Sequence, residues 1–202
     1  MCGFAGIITN RYHTDRAALA QTVERMAQTL HHRGPDSGGV WTDESRSFAM
    51  SHRRLSIIDL SEEGHQPMLS ADGRYVISFN GEIYNFPALR KDLEGVGHTF
   101  RGHSDTEVLL AAIVEYGVDS TLSKLNGMFA FALWDREEKI LSLVRDRFGK
   151  KPLYFGWVDG AFVFGSELKA LKAYPGFSND INRQALSLFL RHNCIPAPYS
   201  IY

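Results

Sequence analysis

Residues 127–166 read GMFAFALWDREEKILSLVRDRFGKKPLYFGWVDGAFVFGS. Four runs rich in β-branched, aromatic and other apolar residues (GMFAFALWD, KILSLVRD, PLYFGWV, AFVFGS) are separated by short breaks, among them DREEK and Asp159-Gly160. Runs of this length and composition, bounded by turn residues, read as successive antiparallel strands joined by short connections. Working back towards the start, residues 75–79 form another β-rich run that ends in Asn80-Gly81, a dipeptide that favours turns. Strands are expected over 48–58 and 40–42, and residues 3–9 (GFAGIIT) read as a short buried strand. Between these, Leu19, Val23, Met26, Ala27 and Leu30 share one face of a helix over 15–32, which Gly34-Pro35 stops. Residues 33–39 (RGPDSGG) read as a turn-rich loop and 59–69 (DLSEEGHQPML) as a long surface loop. Short helices are expected over 86–94, 167–173 and 183–192. Ser104, three residues before Glu107 and ahead of an apolar run, predicts a capped helix start that does not need Asp105. Strands and helices come in blocks rather than in strict alternation, so the fold class is α+β with antiparallel sheets.

A chain of 202 residues with 44% hydrophobic residues can bury one substantial core. Lysine and arginine (22) nearly balance aspartate and glutamate (23), so composition supports neither nucleic acid nor an anionic membrane as partner. No run approaches the roughly 18 apolar residues of a membrane helix, and the first residues do not resemble a secretory signal. Two cysteines far apart in sequence fit a reducing cytoplasm better than a disulfide framework. His31, His32, His52, His65, His98 and His103 show no metal-ligand spacing and are expected at helix ends, in loops and in packing; no metal is expected. Lys150 and Lys151, with acids interleaved nearby, are expected to be structural or to contact another domain.

Cys2 follows the initiator methionine. Removal of Met1 would leave a thiol nucleophile with an α-amine a few bonds away. Such an amine titrates near 8, so close to neutrality a useful fraction can act as base, one way to activate a nucleophile without histidine. A terminus tied into the strand at 3–9 would hold that thiol rigidly.

Several segments together resemble the glutamine-hydrolysing domain of asparagine synthetases, a class II (N-terminal nucleophile) glutamine amidotransferase. They are CGFAGI, HHRGPDSGG, HRRLSIIDLSEEGHQPM, FNGEIYN, GHSDTEVLL, LNGMFAFALWD, RDRFGKKPLYF and FGSELKAL, which cover nearly the whole chain in order. The resemblance implies a four-layer αββα sandwich of two antiparallel sheets over residues 1–190. Residues 191–202 would be a linker, or the start of an ATP-dependent synthetase domain of a longer chain. It implies Cys2 as nucleophile, with the Asn80 side chain and the Gly81 N–H as oxyanion donors. Arg54 would hold the α-carboxylate of glutamine, Glu82 and Asp105 its α-ammonium, and Leu55, Ser56, Ile57 and Ile58 would add contacts. Alternation along a strand puts Arg53 and Arg54 on opposite faces, so only one can enter the pocket. No cofactor is expected on these residues; ATP and magnesium would belong to the synthetase domain, which would turn aspartate into asparagine. A second copy of the chain is a further candidate partner, as a homodimer. Rival readings are an amidotransferase serving another acceptor, such as a sugar acid in surface-polysaccharide assembly, and a catalytically silent regulatory domain.

Overall fold

A computed structural model of the chain describes residues 1–9, 15–43, 48–57 and 59–202. In chain order the elements are β1 (Gly3–Thr9), α1 (Arg16–Gln28), β2 (Ser37–Asp43), β3 (Phe48–Arg54), β4 (Met68–Leu69), β5 (Tyr75–Ile83), α2 (Phe86–Gly95), α3 (Asp105–Tyr116) and α4 (Val118–Lys124). They continue as β6 (Gly127–Asp135), β7 (Ile140–Arg145), β8 (Tyr154–Val158), β9 (Ala161–Gly165), α5 (Leu168–Lys172) and α6 (Arg183–His192). The strands form two sheets, β2-β3-β1-β9-β8 and β4-β5-β6-β7, every pairing antiparallel.

Alternation along each strand separates three apolar layers. Phe4, Phe48, Met50 and Phe164 from the first sheet meet Val76, Ala130, Ala132 and Trp134 from the second. Phe48 stacks on Trp134 with ring centroids 4.3 Å apart, and the Trp134 indole N–H donates to Asp43 Oδ2 at 2.6 Å, a polar tie across the two sheets. On the outer side of the first sheet, Ala5, Ile7, Ala49 and Val163 pack against α1 and α5. Ile77, Phe79, Phe129 and Phe131 of the second sheet pack against α2 and α3. The result is the expected four-layer αββα sandwich. Among the described residues, no helix is long and apolar enough to cross a membrane.

Several local expectations give way to tertiary structure. The four runs of 127–166 are two hairpins in different sheets, β6–β7 and β8–β9, and residues 146–153 cross between them. The Asn80-Gly81 pair is not a turn: β5 continues through it to Ile83, with Asn80 opposite Ala130 and Gly81 opposite Phe129. What requires glycine at 81 is close approach, since a Cβ there would lie 2.5 Å from the Met128 carbonyl oxygen and 2.6 Å from Phe129 Cβ. β3 stops at Arg54 instead of running to 58, and β2 begins at Ser37, inside the expected loop. α1 ends at Gln28, where the Thr29 hydroxyl donates to the Met26 carbonyl and residues 29–33 continue as turns that carry Leu30 into the core. The loop over 59–69 contains a 3₁₀ turn at Glu62–Gly64 and the short β4. Helix α4 lies over a stretch whose sequence shows no strong periodicity.

β1 is the central strand of its sheet, and its first pairings, Gly3 with Arg53 and Phe4 with His52, lie next to Cys2. Ser166 closes the other side: its hydroxyl accepts the Phe4 N–H at 3.0 Å, and its own N–H donates to the Phe4 carbonyl at 2.9 Å. Farther along β1, Gly6 lies opposite Phe164 of β9, whose ring covers it. A Cβ on Gly6 would sit 2.1 Å from Phe164 Cζ, and that ring is fully buried. Gly6→Ala is therefore expected to cost about 1–3 kcal/mol, the usual range for overpacking a core. Denaturant unfolding checks it, and Gly6→Ala combined with Phe164→Leu should recover part of the loss, whereas additive losses would show that this contact is not the cause.

Candidate active site

Cys2 opens into a cavity of about 170 Å³ at one end of the sandwich, lined from both sheets and from the start of α3. The Cys2 thiol contacts the backbone of Leu55: the Leu55 N–H donates to Sγ at 3.4 Å, and Sγ lies 3.6 Å from the Leu55 carbonyl oxygen. That contact exists because β3 ends at Arg54 and the chain bends across the thiol. Arg33 donates to the Cys2 carbonyl at 2.9 Å and is itself held by Glu167 at 2.8 Å. Burial pushes the Cys2 thiol above its usual pKa, against the lowering effects of the Leu55 N–H and of Arg54. The sulfur thus starts as a protonated thiol, and a nucleophilic role needs a base.

Facing Cys2 is the open edge of β5. Phe129, the β6 partner of Gly81, turns its N–H and C=O to Asp146 (3.3 and 2.7 Å) and so away from β5. Gly81 and Phe129 are thus a non-hydrogen-bonded pair, and the Gly81 N–H faces the opposite edge. β4 pairs that edge only up to Ile77. Beyond it, side chains replace a strand: Gln66 Oε1 accepts the Phe79 N–H at 2.6 Å and Asp105 Oδ2 accepts the Ile83 N–H at 2.9 Å. The Gly81 N–H lies between these two, at the cavity. On the inner face, Asn80 is buried, and among the described residues its Nδ2 has no hydrogen-bond partner.

Arg54 is buried and lines the cavity, whereas Arg53 turns to the other side, donating to the Gly34 carbonyl at 3.0 Å and to His31 at 2.5 Å. The Arg54 guanidinium donates to the carbonyls of Asp59 and Ser61 and lies against Gly64, where a Cβ would be 2.0 Å from Nη2. These bonds use two of its five N–H donors. Asp105 is buried, and Glu82 stands exposed at the rim. Burial, with Glu82 adding to it, pushes Asp105 up to about 6 despite the N–H bonds it accepts from Ile83 and Thr106. Leu55 and Ile57 line the cavity; Ser56 does not, its N–H donating to Asp36 at 2.8 Å. Ile58 lies outside the described residues.

The cavity also takes residues that the sequence does not single out. Gln66, Phe79, Thr106 and Met128 line it, as does Lys151, expected to be structural or to contact another domain and here buried at the cavity. The 146–151 loop wraps the Asp146 carboxylate, which accepts the N–H groups of Phe129, Phe148, Lys150 and Lys151, and this turns Lys151 inward. Burial, then the charge of Arg33, push the Lys151 ammonium below its ordinary pKa. Asp59 is committed to structure: it accepts the Ser61 N–H and hydroxyl and the His103 N–H, tying the loop under Arg54 to the start of α3. At that start the Ser104 hydroxyl accepts the Glu107 N–H at 3.2 Å, and the Glu107 carboxylate accepts the N–H groups of Arg101 and Gly102.

A thiol, a buried side-chain amide without a partner among the described residues and a strand N–H on the open edge of β5, around one small cavity, suit attack on a carbonyl, and the family comparison agrees. The model of the glutamine amidotransferase domain matches residues 1–202. The chain belongs to that family. Asparagine synthetase [glutamine-hydrolyzing] 1 of Bacillus subtilis is 41% identical over 201 residues, covering 100% of this chain and 31% of the relative. Asparagine synthetase [glutamine-hydrolyzing] 3 of the same organism is 41% identical over 189 residues, 93% of this chain and 30% of the relative. The chain thus spans about a third of the length of these curated relatives. Among solved structures, a glutamine phosphoribosylpyrophosphate amidotransferase from B. subtilis matches with a TM-score of 0.73, over 86% of this chain and 43% of that one; at 24% identity it shows the shared fold.

Asp105 carries a pH signature. Its folded pKa, about 6, lies above the 3.8 of an ordinary aspartate, so ionisation disfavours the native state. Its contribution to stability is greatest below pH 4 and falls as pH rises through about 6. Two pKa units correspond to roughly 3 kcal/mol. Asp105→Asn should therefore gain stability relative to the parent between pH 4 and 7, by up to about that amount, in unfolding curves taken across the range. A difference that stays constant with pH would refute the shift.

Proposed function

We propose that this amidotransferase domain hydrolyses the side-chain amide of glutamine to glutamate and ammonia, with Cys2 as nucleophile. The observation that carries the reading is the Asn80 Nδ2, buried without a partner among the described residues in the cavity that Cys2 enters. A buried amide donor left bare is costly unless something else fills its hydrogen bond. A tetrahedral oxyanion formed by thiol attack would do so, sharing the site with the Gly81 N–H. Sulfur bonds to the amide carbon, the thiol proton passes to the α-amine of Cys2, and the amine returns it to the departing ammonia. Water then cleaves the thioester to glutamate and frees the thiol. A thiol attacks well only once its proton is taken, so a base is needed, and with Met1 attached the Cys2 nitrogen is a non-basic amide. Arg54, whose bonds to the Asp59 and Ser61 carbonyls leave part of its guanidinium fork for the cavity among the described residues, would take the α-carboxylate, and Asp105 with Glu82 the α-ammonium.

Given the relatives' names and lengths, we assign the ammonia to an ATP-dependent synthetase portion of a longer chain that makes asparagine from aspartate, where ATP and magnesium would bind. A soluble, cytoplasmic protein fits this role.

With Met1 removed, the 202 residues should release ammonia from glutamine and form no asparagine when given ATP and aspartate. Retained Met1 or Cys2→Ala should abolish hydrolysis while the fold persists. Intact mass and a glutaminase assay on the same sample decide this, and full turnover by a wholly Met1-retaining sample would refute the α-amine step.

The two binding elements should separate kinetically. Arg54→Lys loses the fork and is expected to raise KM about tenfold or more with kcat nearly kept. Asn80→Ala removes a donor used only beyond the ground state and should lower kcat about 100–1,000-fold. Steady-state kinetics on both variants read the split, and unchanged kcat in Asn80→Ala would show that the amide does not meet the oxyanion.

A further inference from the structure

We propose that His52 is a positioning residue for the oxyanion side of the pocket, holding the Phe79–Asn80 peptide in place from the sheet that carries Cys2. The inference rests on the glutaminase reading above. His52 belongs to β3 and lies directly opposite Phe4 of β1, two residues from the nucleophile. It shares the inner face of its sheet with Phe48 and Met50, and it is fully buried. Its Nε2 lies 2.9 Å from the Phe79 carbonyl oxygen, on β5 of the other sheet. A carbonyl only accepts, so the ring donates from Nε2 and its Nδ1 carries the lone pair.

That carbonyl lies on the open edge of β5, past the end of β4. Both backbone groups of Phe79 on this edge are held by side chains, the N–H by Gln66 and the C=O by His52. The peptide so clamped continues into Asn80, and Gly81 follows. An oxyanion donor works only where the developing charge will be, and a displacement of about 1 Å can cost 100-fold in rate. Cys2 and the donors sit on different sheets, which the apolar core presses together without fixing their register to fractions of an ångström. The hydrogen bond from β3 to β5 supplies that registration beside the reacting atoms.

The imidazole is suited to remaining neutral. Burial, with His65, Arg54 and Arg53 adding to it, pushes it down to about 4, against the effect of the bond to Phe79. Its Nδ1 is buried and unpartnered among the described residues. Nature of the ring aside, the role needs one donor at the Nε2 position, which a glutamine amide can also reach.

The test compares His52→Gln, which keeps a donor, with His52→Met, which fills the site without one, both with Met1 removed. Three readouts are taken: kcat and KM for glutamine, binding of glutamate against glutamate γ-semialdehyde, and deuterium exchange of the 79–82 backbone. The aldehyde carbon bonds reversibly to the Cys2 sulfur while the thiol proton ends on the oxygen, so it reports on the oxyanion site as glutamate does not. His52→Gln is expected to keep kcat within about threefold. His52→Met should lower kcat about 10–100-fold with KM within about twofold, weaken the aldehyde by a similar factor, leave glutamate binding unchanged and speed exchange over 79–82. A His52→Met protein with parental kcat and exchange overturns the proposal, as does equal weakening of aldehyde and glutamate. If the methionine variant does not fold, the glutamine variant decides: a folded, active protein supports the role, and an inactive or unfolded one refutes it. Should the parent itself fail to hydrolyse glutamine, the functional reading falls, and the exchange comparison still decides whether His52 holds the peptide.

Discussion

The stacking of Phe48 on Trp134 sets the constraint on which the rest of this structure depends: two sheets pressed face to face, with their spacing fixed by aromatic contact. Packed sheets lie about 10 Å apart, too far for backbone atoms on one to meet backbone atoms on the other. Chemistry between them needs either side chains reaching across or an end of the sandwich where the layers open. Both occur at the Cys2 end. β3 terminates at Arg54, β4 ends early, and the space left is the cavity, floored by apolar layers and walled by polar groups whose strand partners are missing. The site is thus a place where sheet formation stops, where the Gly81 N–H on the open edge of β5 joins the side-chain donors of Asn80 and Arg54.

The charges around it are sorted by the same geometry. Arg54 is braced by two backbone carbonyls on a loop that Asp59 anchors to the start of α3, so the cation and the Asp105 carboxylate are held by one connected framework. Asp105 caps the open edge at Ile83 with one oxygen and lines the cavity as well. A carboxyl that holds a strand end while lining the cavity cannot move far from either, which ties the shape of the cavity to the fold of β5.

Much of this was legible in the chain because it rests on local signals. The helices of 86–94, 167–173 and 183–192, the capped start at Ser104 and the four β-rich runs of 127–166 each appear within a residue or two of where they were expected. The layer order followed from family resemblance rather than from pattern. What misled was local chemistry overruled at a distance. Asn80-Gly81 carries a strong short-range turn signal, yet nine residues of pairing with β6 keep it extended. The hairpins of 127–166 look continuous, and nothing in their composition tells which sheet each joins. Lys151, Gln66 and His52 could not be placed by spacing, because each reaches the site by folding: one turned inward by the Asp146 loop, one substituting for a strand, one crossing the sandwich.

The central position of β1 has a consequence for the order in which this protein can be assembled. On one side β1 pairs with β3, some forty-five residues downstream, but on the other it waits for β9, over 150 residues later. Until Ala161–Gly165 has been synthesised, one edge of the first strand stays unpaired, and Ser166, which closes the backbone at Phe4, is still to come. Long-range pairing of this kind is slow to form. Cys2, made at the start of synthesis, is among the last groups to be locked in place. A chain interrupted before β9 would leave Cys2 on an incomplete sheet, so reactivity at that thiol would arrive only with the near-complete domain.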